Sequence, residues 1–291
     1  MNSKKLYIWT SFVAAAILVF FAVATLFDLK VSEVLYARDN AFGKIYEAIG
    51  KAPAFVLSAF ACFVLGRNAE INEKKKAKTY LFYILGYVAG ALTFLDFGEM
   101  LFSSKLFALA LGAVLSVPLT VTVYAVTKRI DGEKLAAMKK WALVVLFSVA
   151  LTAVIVYLLK TIWGRARYVD TQTGDAMFTP WYRIERTGGD SFPSGHSAFA
   201  ASFFLLLPLC GIDERLKDKE KQVFLVALAF VVVTMLARIS DGHHYLSDVT
   251  IGFGIAFFIQ AIVIAVAYGK KLDKQVLDGS NKLERLLDAV F

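Results

Sequence analysis

Two of the three histidines in this 291-residue chain fall within one stretch, Arg238-Ile-Ser-Asp-Gly-His-His244-Tyr-Leu-Ser-Asp248. Asp248 follows His244 by four positions, so the two side chains share a face if the segment enters a helix there. A carboxylate so placed can accept a hydrogen bond from one ring nitrogen and leave the lone pair of the other free to attack. His243 competes with His244 on residue type, but only His244 has a carboxylate at i+4. Arg238 stands just before them, a fixed cation whose planar fork of donors suits phosphate. A nucleophile, its orienter and an anion clamp this close together point to phosphoryl transfer.

Two further stretches carry matching chemistry. In Lys160-Thr-Ile-Trp-Gly-Arg-Ala-Arg167, the outer cations are about two helical turns apart and can converge at a helix end. In Pro193-Ser194-Gly195-His196 a small-residue turn opens a helix, where backbone N–H groups and the positive helix end can cradle an anion beside His196. Each signal alone is weak, since a lysine at a helix end commonly snorkels and Ser-Gly-His is commonly a turn. The cluster Asp241, His243, His244 and Asp248 has the residue types of a metal site, but the neighbouring Arg238 would repel a cation. Three fixed cations can take the place of Mg²⁺, so no metal or cofactor is expected.

These residues must be positioned by membrane helices. The chain is 58% hydrophobic and 19% charged, with mean hydropathy +0.61, outside the range of soluble domains. The net charge of +8 does not imply nucleic acid, because the cations sit in short loops between apolar runs. Cys62 and Cys210 lie in such runs and form neither a disulfide framework nor a metal motif. The expected class is all-α, a polytopic bundle of about eight transmembrane helices. The spans are Leu6–Phe27, Ala52–Gly66, Tyr80–Leu95, Leu106–Val126, Trp141–Leu159, one opened by Pro193, Val223–Leu236 and Val249–Tyr268. The first is expected to be retained rather than cleaved as a leader. Residues 28–51 have apolar spacing that suits either a helix on the membrane surface or an ordinary amphipathic loop helix.

Eight spans put both termini on one side. The termini and the loops on their side hold 21 of the 32 Lys and Arg, which makes that side cytoplasmic. All three histidines and the motif cations then lie on the outer face of the cell membrane. The expected parts are N-terminal helices over 1–127, a core with the three motifs over 128–268, and a basic cytoplasmic tail over 269–291 whose Leu283, Leu286, Leu287 and Val290 repeat at helical spacing.

The three stretches resemble the type 2 phosphatidic acid phosphatase superfamily of integral-membrane lipid phosphate phosphatases, related to vanadium haloperoxidases. The family pattern is Lys-x6-Arg-Pro, Pro-Ser-Gly-His and Ser-Arg-x5-His-x3-Asp. This chain has Lys160-x6-Arg167-Tyr168, then Pro193–His196 in full, then Ala237-Arg238-x5-His244-x3-Asp248. Tyr168 replaces the family proline and Ala237 the family serine, and no charged or nucleophilic position is lost. The resemblance covers roughly residues 140–268.

It implies that His244 attacks phosphorus to form a phosphohistidine that Asp248 stabilises. His196 protonates the leaving oxygen and then activates water. Lys160, Arg167, Arg238, the Ser194 hydroxyl and the Gly195 N–H bind the phosphoryl oxygens. The implied partner is a membrane lipid phosphate: polyprenyl diphosphate, phosphatidylglycerol phosphate or phosphatidic acid first, lipid A phosphate close behind. The loop Phe178-Thr-Pro-Trp-Tyr182, with Arg183 and Arg186, is either a cover for an anionic headgroup or an interfacial aromatic belt. A phosphotransferase is a variant of the same chemistry. A non-catalytic lipid transporter is the reading of another class, and its mark would be ionisable groups inside the spans. Opposite protonation states of two histidines imply a bell-shaped pH profile near the ordinary histidine value of about 6.5.

Overall fold

The computed structural model describes residues 3–102, 104–184, 186 and 188–288, with side chains described between 10 and 268. Among the described residues the regular structure is helical throughout. Seven helices are long and apolar enough to cross a membrane, and the chain is a multi-pass membrane protein. Leu18, Val19, Val154 and Leu158 stand exposed on helix faces, a surface that water would not tolerate and lipid does.

The first helix, α1 (Ser3–Leu35), runs on past the expected end of its span, so Asp28 lies inside it. Helix α2 (Ala41–Ile49) is capped by Asn40, whose side chain accepts from Gly43 N at 2.5 Å. The helix expected over 28–51 is therefore two pieces. The first belongs to α1. The second packs against later helices instead of lying free on the membrane, because its carbonyl face is needed at the site described below.

Helix α3 (Ala52–Asn68) starts with Pro53 in its first turn, where a missing N–H costs nothing. It ends in a π-helical turn at Ala69–Glu73. Helices α4 (Lys76–Thr93), α5 (Leu95–Leu101) and α6 (Lys105–Lys128) complete the N-terminal half. Small residues let these helices approach closely, as expected in lipid: Gly86 lies against the Phe63 ring and Gly66 against the Tyr83 ring. At the end away from the histidines, Glu73 binds Lys78 and Lys139, each at 2.7 Å.

Helix α7 (Gly132–Trp163) is capped by Asp131 and stops at Gly164. Gly164 takes the left-handed conformation (φ 57°) that glycine adopts without a Cβ clash, and its N–H returns to Lys160 O. This stop holds Lys160 in the last turn. Helix α8 (Tyr168–Thr173) is short. The span opened by Pro193 is α9 (Gly195–Ala200), continued as a 3₁₀ helix over Ala201–Gly211. It is shorter than an ordinary span. A 3₁₀ turn rises faster than an α turn, however, so the rod reaches roughly 30 Å, about one hydrocarbon core. The chain returns to the histidines along α10 (Glu220–Ser240) and leaves again along α11 (Leu246–Asp288). Among the described residues seven rods are thus long enough to cross, and the eighth expected span is the shorter apolar rod Gly195–Gly211. The backbone of the basic tail continues α11 through Asp288. Its side chains and Val290 lie outside the described residues.

Two apolar clusters hold the bundle. One gathers Ile17, Val156, Phe204, Phe253 and Phe257. The other centres on Trp141, whose Nε1 donates to Leu205 O at 2.7 Å. Between α9 and α11, Gly252 lies so close to Ser194 that a Cβ would run into its backbone carbonyl. Gly252→Ala should therefore push α11 away from the Pro-Ser-Gly-His turn and lower the melting temperature by several degrees, read by a thermal melt in detergent.

Candidate active site

Three chain breaks meet at one end of the bundle: the end of α7, the start of α9 and the turn between α10 and α11. Gly242 (φ 76°) makes that last turn, and its carbonyl accepts from Val169 N at 2.9 Å. The residues singled out in the sequence come together here. Ser194 N donates to Asp248 O at 2.9 Å and His244 N to Arg238 O at 3.0 Å. A Cβ on Gly195 would lie 4.0 Å from Lys160 Cε. Ser194 caps α9 by accepting from Ser197 N, which leaves its own hydroxyl proton to be donated elsewhere.

The segment Asp190–Ser191, which sequence reasoning passed over, knits the motifs together. Lys160 Nζ donates to Asp190 O. Arg167 meets the Asp190 carboxylate through Nε at 2.8 Å and Nη2 at 3.0 Å. Burial works against the ionised Asp190, but Arg167 and Lys160 hold its carboxyl below the usual range. Ser191 Oγ donates to Asp248 Oδ2 at 2.6 Å.

The orienter of His244 differs from the expected one. Its Nδ1 lies 2.7 Å from Ser191 O and 3.8 Å from Asp248 Oδ2, too far for a hydrogen bond. A carbonyl can only accept, so Nδ1 carries the proton and the lone pair sits on Nε2. Asp248 lies in the first turn of α11 and His244 two residues before that helix begins, so the carboxylate acts on the ring through charge. Burial pushes His244 down to about 3, against the upward pull of Asp248 and with Lys160 and Arg238 adding to the fall. The imidazole is therefore neutral at physiological pH.

His196 turns toward the N-terminal half. Its Nε2 donates to Glu47 O at 3.0 Å on α2 and lies 3.7 Å from Asp96 Oδ2 on α5. Asp96 also binds Lys51 Nζ at 2.8 Å. Asp96 falls between the expected spans Tyr80–Leu95 and Leu106–Val126, and Glu47 in the 28–51 stretch, so neither carried a signal in the sequence. Arg238 is buried and pairs with Asp241 at 2.5 Å. Asp241 in turn contacts His243 Nδ1 at 3.0 Å, so His243 has a carboxylate partner that i+4 spacing does not reveal. Among the described residues no three His, Cys, Asp or Glu groups are placed to hold a metal. Asp241 and Asp248 face different arginines instead.

Arg165 and Asp28 were also missed. Arg165 Nη1 reaches Asp248 Oδ1 at 2.5 Å and its Nη2 reaches Asp28 Oδ2 at 2.9 Å. A carboxylate at the end of an apolar run was the available signal for Asp28. The 178–182 loop packs inward: Phe178 lies against Tyr245, and Trp181 against Phe21 with Nε1 donating to Thr25 Oγ1 at 3.1 Å. Tyr182, Arg183 and Arg186 are exposed. Tyr168, in place of the family proline, starts α8 and packs on Tyr36 and Tyr245.

The family model described as the PAP2 superfamily matches residues 141–271, which include all three motif stretches. That stretch of the chain is similar to the PAP2 superfamily. Phosphatidylglycerophosphatase B of Haemophilus influenzae is 29% identical over 96 residues, 31% of this chain and 39% of that relative. The chain thus spans about two fifths of the length of the curated relative it matches. No solved structure matches it. The PAP2 match leaves α1 to α6 outside, although α1, α2 and α5 all reach the site.

The sign of the His244 shift gives a pH test. Its folded value lies below the ordinary 6.5, so the unfolded chain takes up a proton between about pH 6.5 and 3 that the native site refuses. The stability it contributes is complete above pH 6.5 and drains away as pH falls toward 3. Melting temperature should drop across that window, and His244→Asn should flatten the drop.

Proposed function

We infer that the protein is a metal-independent lipid phosphate phosphatase that works through a phosphohistidine. The observation that carries this reading is the buried, neutral His244 with its proton fixed on Nδ1 by Ser191 O, so that Nε2 presents a lone pair among Lys160, Arg167 and Arg238. The Nε2–P bond forms as the P–O bond to the lipid breaks. His196 gives its proton to the departing oxygen. Its Nε2–H is held by Glu47 O, so the proton exchanged is the one on Nδ1. Water then attacks phosphorus, His196 takes the water proton, and the N–P bond breaks to release phosphate. The three cations, the Ser194 hydroxyl and the Gly195 N–H answer the charge on the phosphoryl oxygens. Asp248 answers the cation left on His244.

The place of the site and one relative support a substrate class. A site at the end of membrane helices, beside a cavity of about 290 Å³ lined by Lys51, Leu92, Ala153, Tyr157 and Phe199, suits a phosphate held at headgroup level with its chains in the bilayer. A relative named for phosphatidylglycerophosphate favours a glycerophospholipid phosphate, ahead of polyprenyl diphosphate and lipid A phosphate. The cation bias favours a site on the outer face of the cell membrane, with cytoplasmic termini.

Detergent-purified protein should release phosphate from phosphatidylglycerol phosphate with EDTA present. His244→Ala should abolish release, and Arg238→Ala should cut kcat by about 10²–10³. Loss of release on adding EDTA, or full activity in His244→Ala, would refute the reading. Because His244 is held near 3, the acid limb of kcat/KM should fall below pH 5, lower than histidine's ordinary value predicts.

A further inference from the structure

Arg165 lies between two carboxylates from opposite ends of the chain. Its side chain, Asp28 and Asp248 are 1%, 5% and 0% exposed, so no solvent screens them. Every arm of the guanidinium is used. Nε donates to Thr179 O at 2.9 Å, Nη1 to Ser247 Oγ at 2.8 Å and Asp248 Oδ1 at 2.5 Å, and Nη2 to Asp28 Oδ2 at 2.9 Å. Ser247 completes the ring, its N donating to Asp28 Oδ1 at 2.8 Å and its Oγ to Asp28 Oδ2 at 2.5 Å. Tyr245 lies against the guanidinium, 4.1 Å from its centroid.

Both Asp28 oxygens accept, from Arg165 Nη2, Ser247 N and Ser247 Oγ, as a carboxylate's do, and with Asp28 ionised the three groups carry one more negative charge than positive. With Asp28 absent, Arg165 would neutralise Asp248 alone. With Asp28 present, the cation is shared and negative charge remains beside His244. We propose that Asp28 is a positioning residue for the reaction, sharing Arg165 so that Asp248 keeps the charge that steadies the cation formed on His244. This rests on the phosphohistidine reading. It also gives α1, which lies outside the PAP2 match, a part in the chemistry. An anchor for α1 alone would need no second carboxylate on the arginine, since Ser247 already holds Asp28 through two bonds.

The test compares two oxyanions on wild type, Asp28→Asn and Arg165→Lys, which keeps the charge but not the fork. Orthovanadate can bond to the imidazole nitrogen and draw positive charge onto the ring, whereas inorganic phosphate only sits among the cations. Asp28→Asn should weaken orthovanadate about tenfold, the scale on which groups behind a ligating histidine act, and leave phosphate within about twofold. In turnover it should lower kcat with KM held. Arg165→Lys should show the same selective loss, and it carries the test if Asp28→Asn does not fold. Equal loss of both oxyanions, or no loss of either, would overturn the proposal. Selective orthovanadate loss in a protein that hydrolyses no lipid phosphate would remove the activity and keep the coupling. Hydrolysis with no selective loss would do the reverse.

Discussion

A guanidinium in an apolar interior must have its charge answered and its donors satisfied, because an unpaired buried charge costs several kcal/mol. Arg165 meets that demand by binding Asp28 of α1, Asp248 of α11 and the Thr179 carbonyl at once. Few arrangements of three distant segments satisfy all these bonds together. The interaction therefore fixes the depth of α1, the approach of α11 to the end of α7 and the path of the 174–182 loop. Phe178 and Tyr245 seal it with their rings.

The site follows from that frame. Once α11 is set, Asp248 receives Ser191 Oγ, and Ser191 in turn offers its carbonyl to His244. The same short segment brings Asp190 against Lys160 and Arg167. A carboxylate and a carbonyl of Asp190 thus face cations suited to phosphate, which offsets the cations' mutual repulsion. A phosphoryl group arriving there meets donors already oriented, and orientation in advance is what electrostatic catalysis requires. His244 and His196 are held by carbonyls from different halves of the chain, Ser191 O and Glu47 O.

The helices before residue 141 form part of this site. Asp28 reaches it through Arg165, Glu47 and Asp96 meet His196, and Lys51 meets Asp96. The PAP2 segment carries the residues proposed for the chemistry, and the preceding helices supply the partners that hold two of them. Because Asp96 is shared with Lys51, the charge near His196 is balanced locally.

Much was legible in the sequence because it depends on short-range rules. Apolar length gave the spans. Short motif spacings pointed to Lys160 with Arg167, the Pro-Ser-Gly-His turn and His244 with Asp248, although α7 stops before Arg167 and α11 starts after His244, so helical periodicity does not itself join either pair. Residue type pointed to the phosphoryl chemistry proposed above. Spacing says that two groups lie near each other along the chain, but a hydrogen bond needs atoms within about 3 Å, and another segment often supplies the nearer acceptor. That is why Ser191 O, rather than Asp248, accepts the hydrogen bond from His244 Nδ1–H. Partners such as Asp28 with Ser247, or Glu47 with His196, lie far apart in the chain and leave no periodic trace. They arise only when helices pack, where burial obliges every charge and N–H to find whichever partner the tertiary structure brings near.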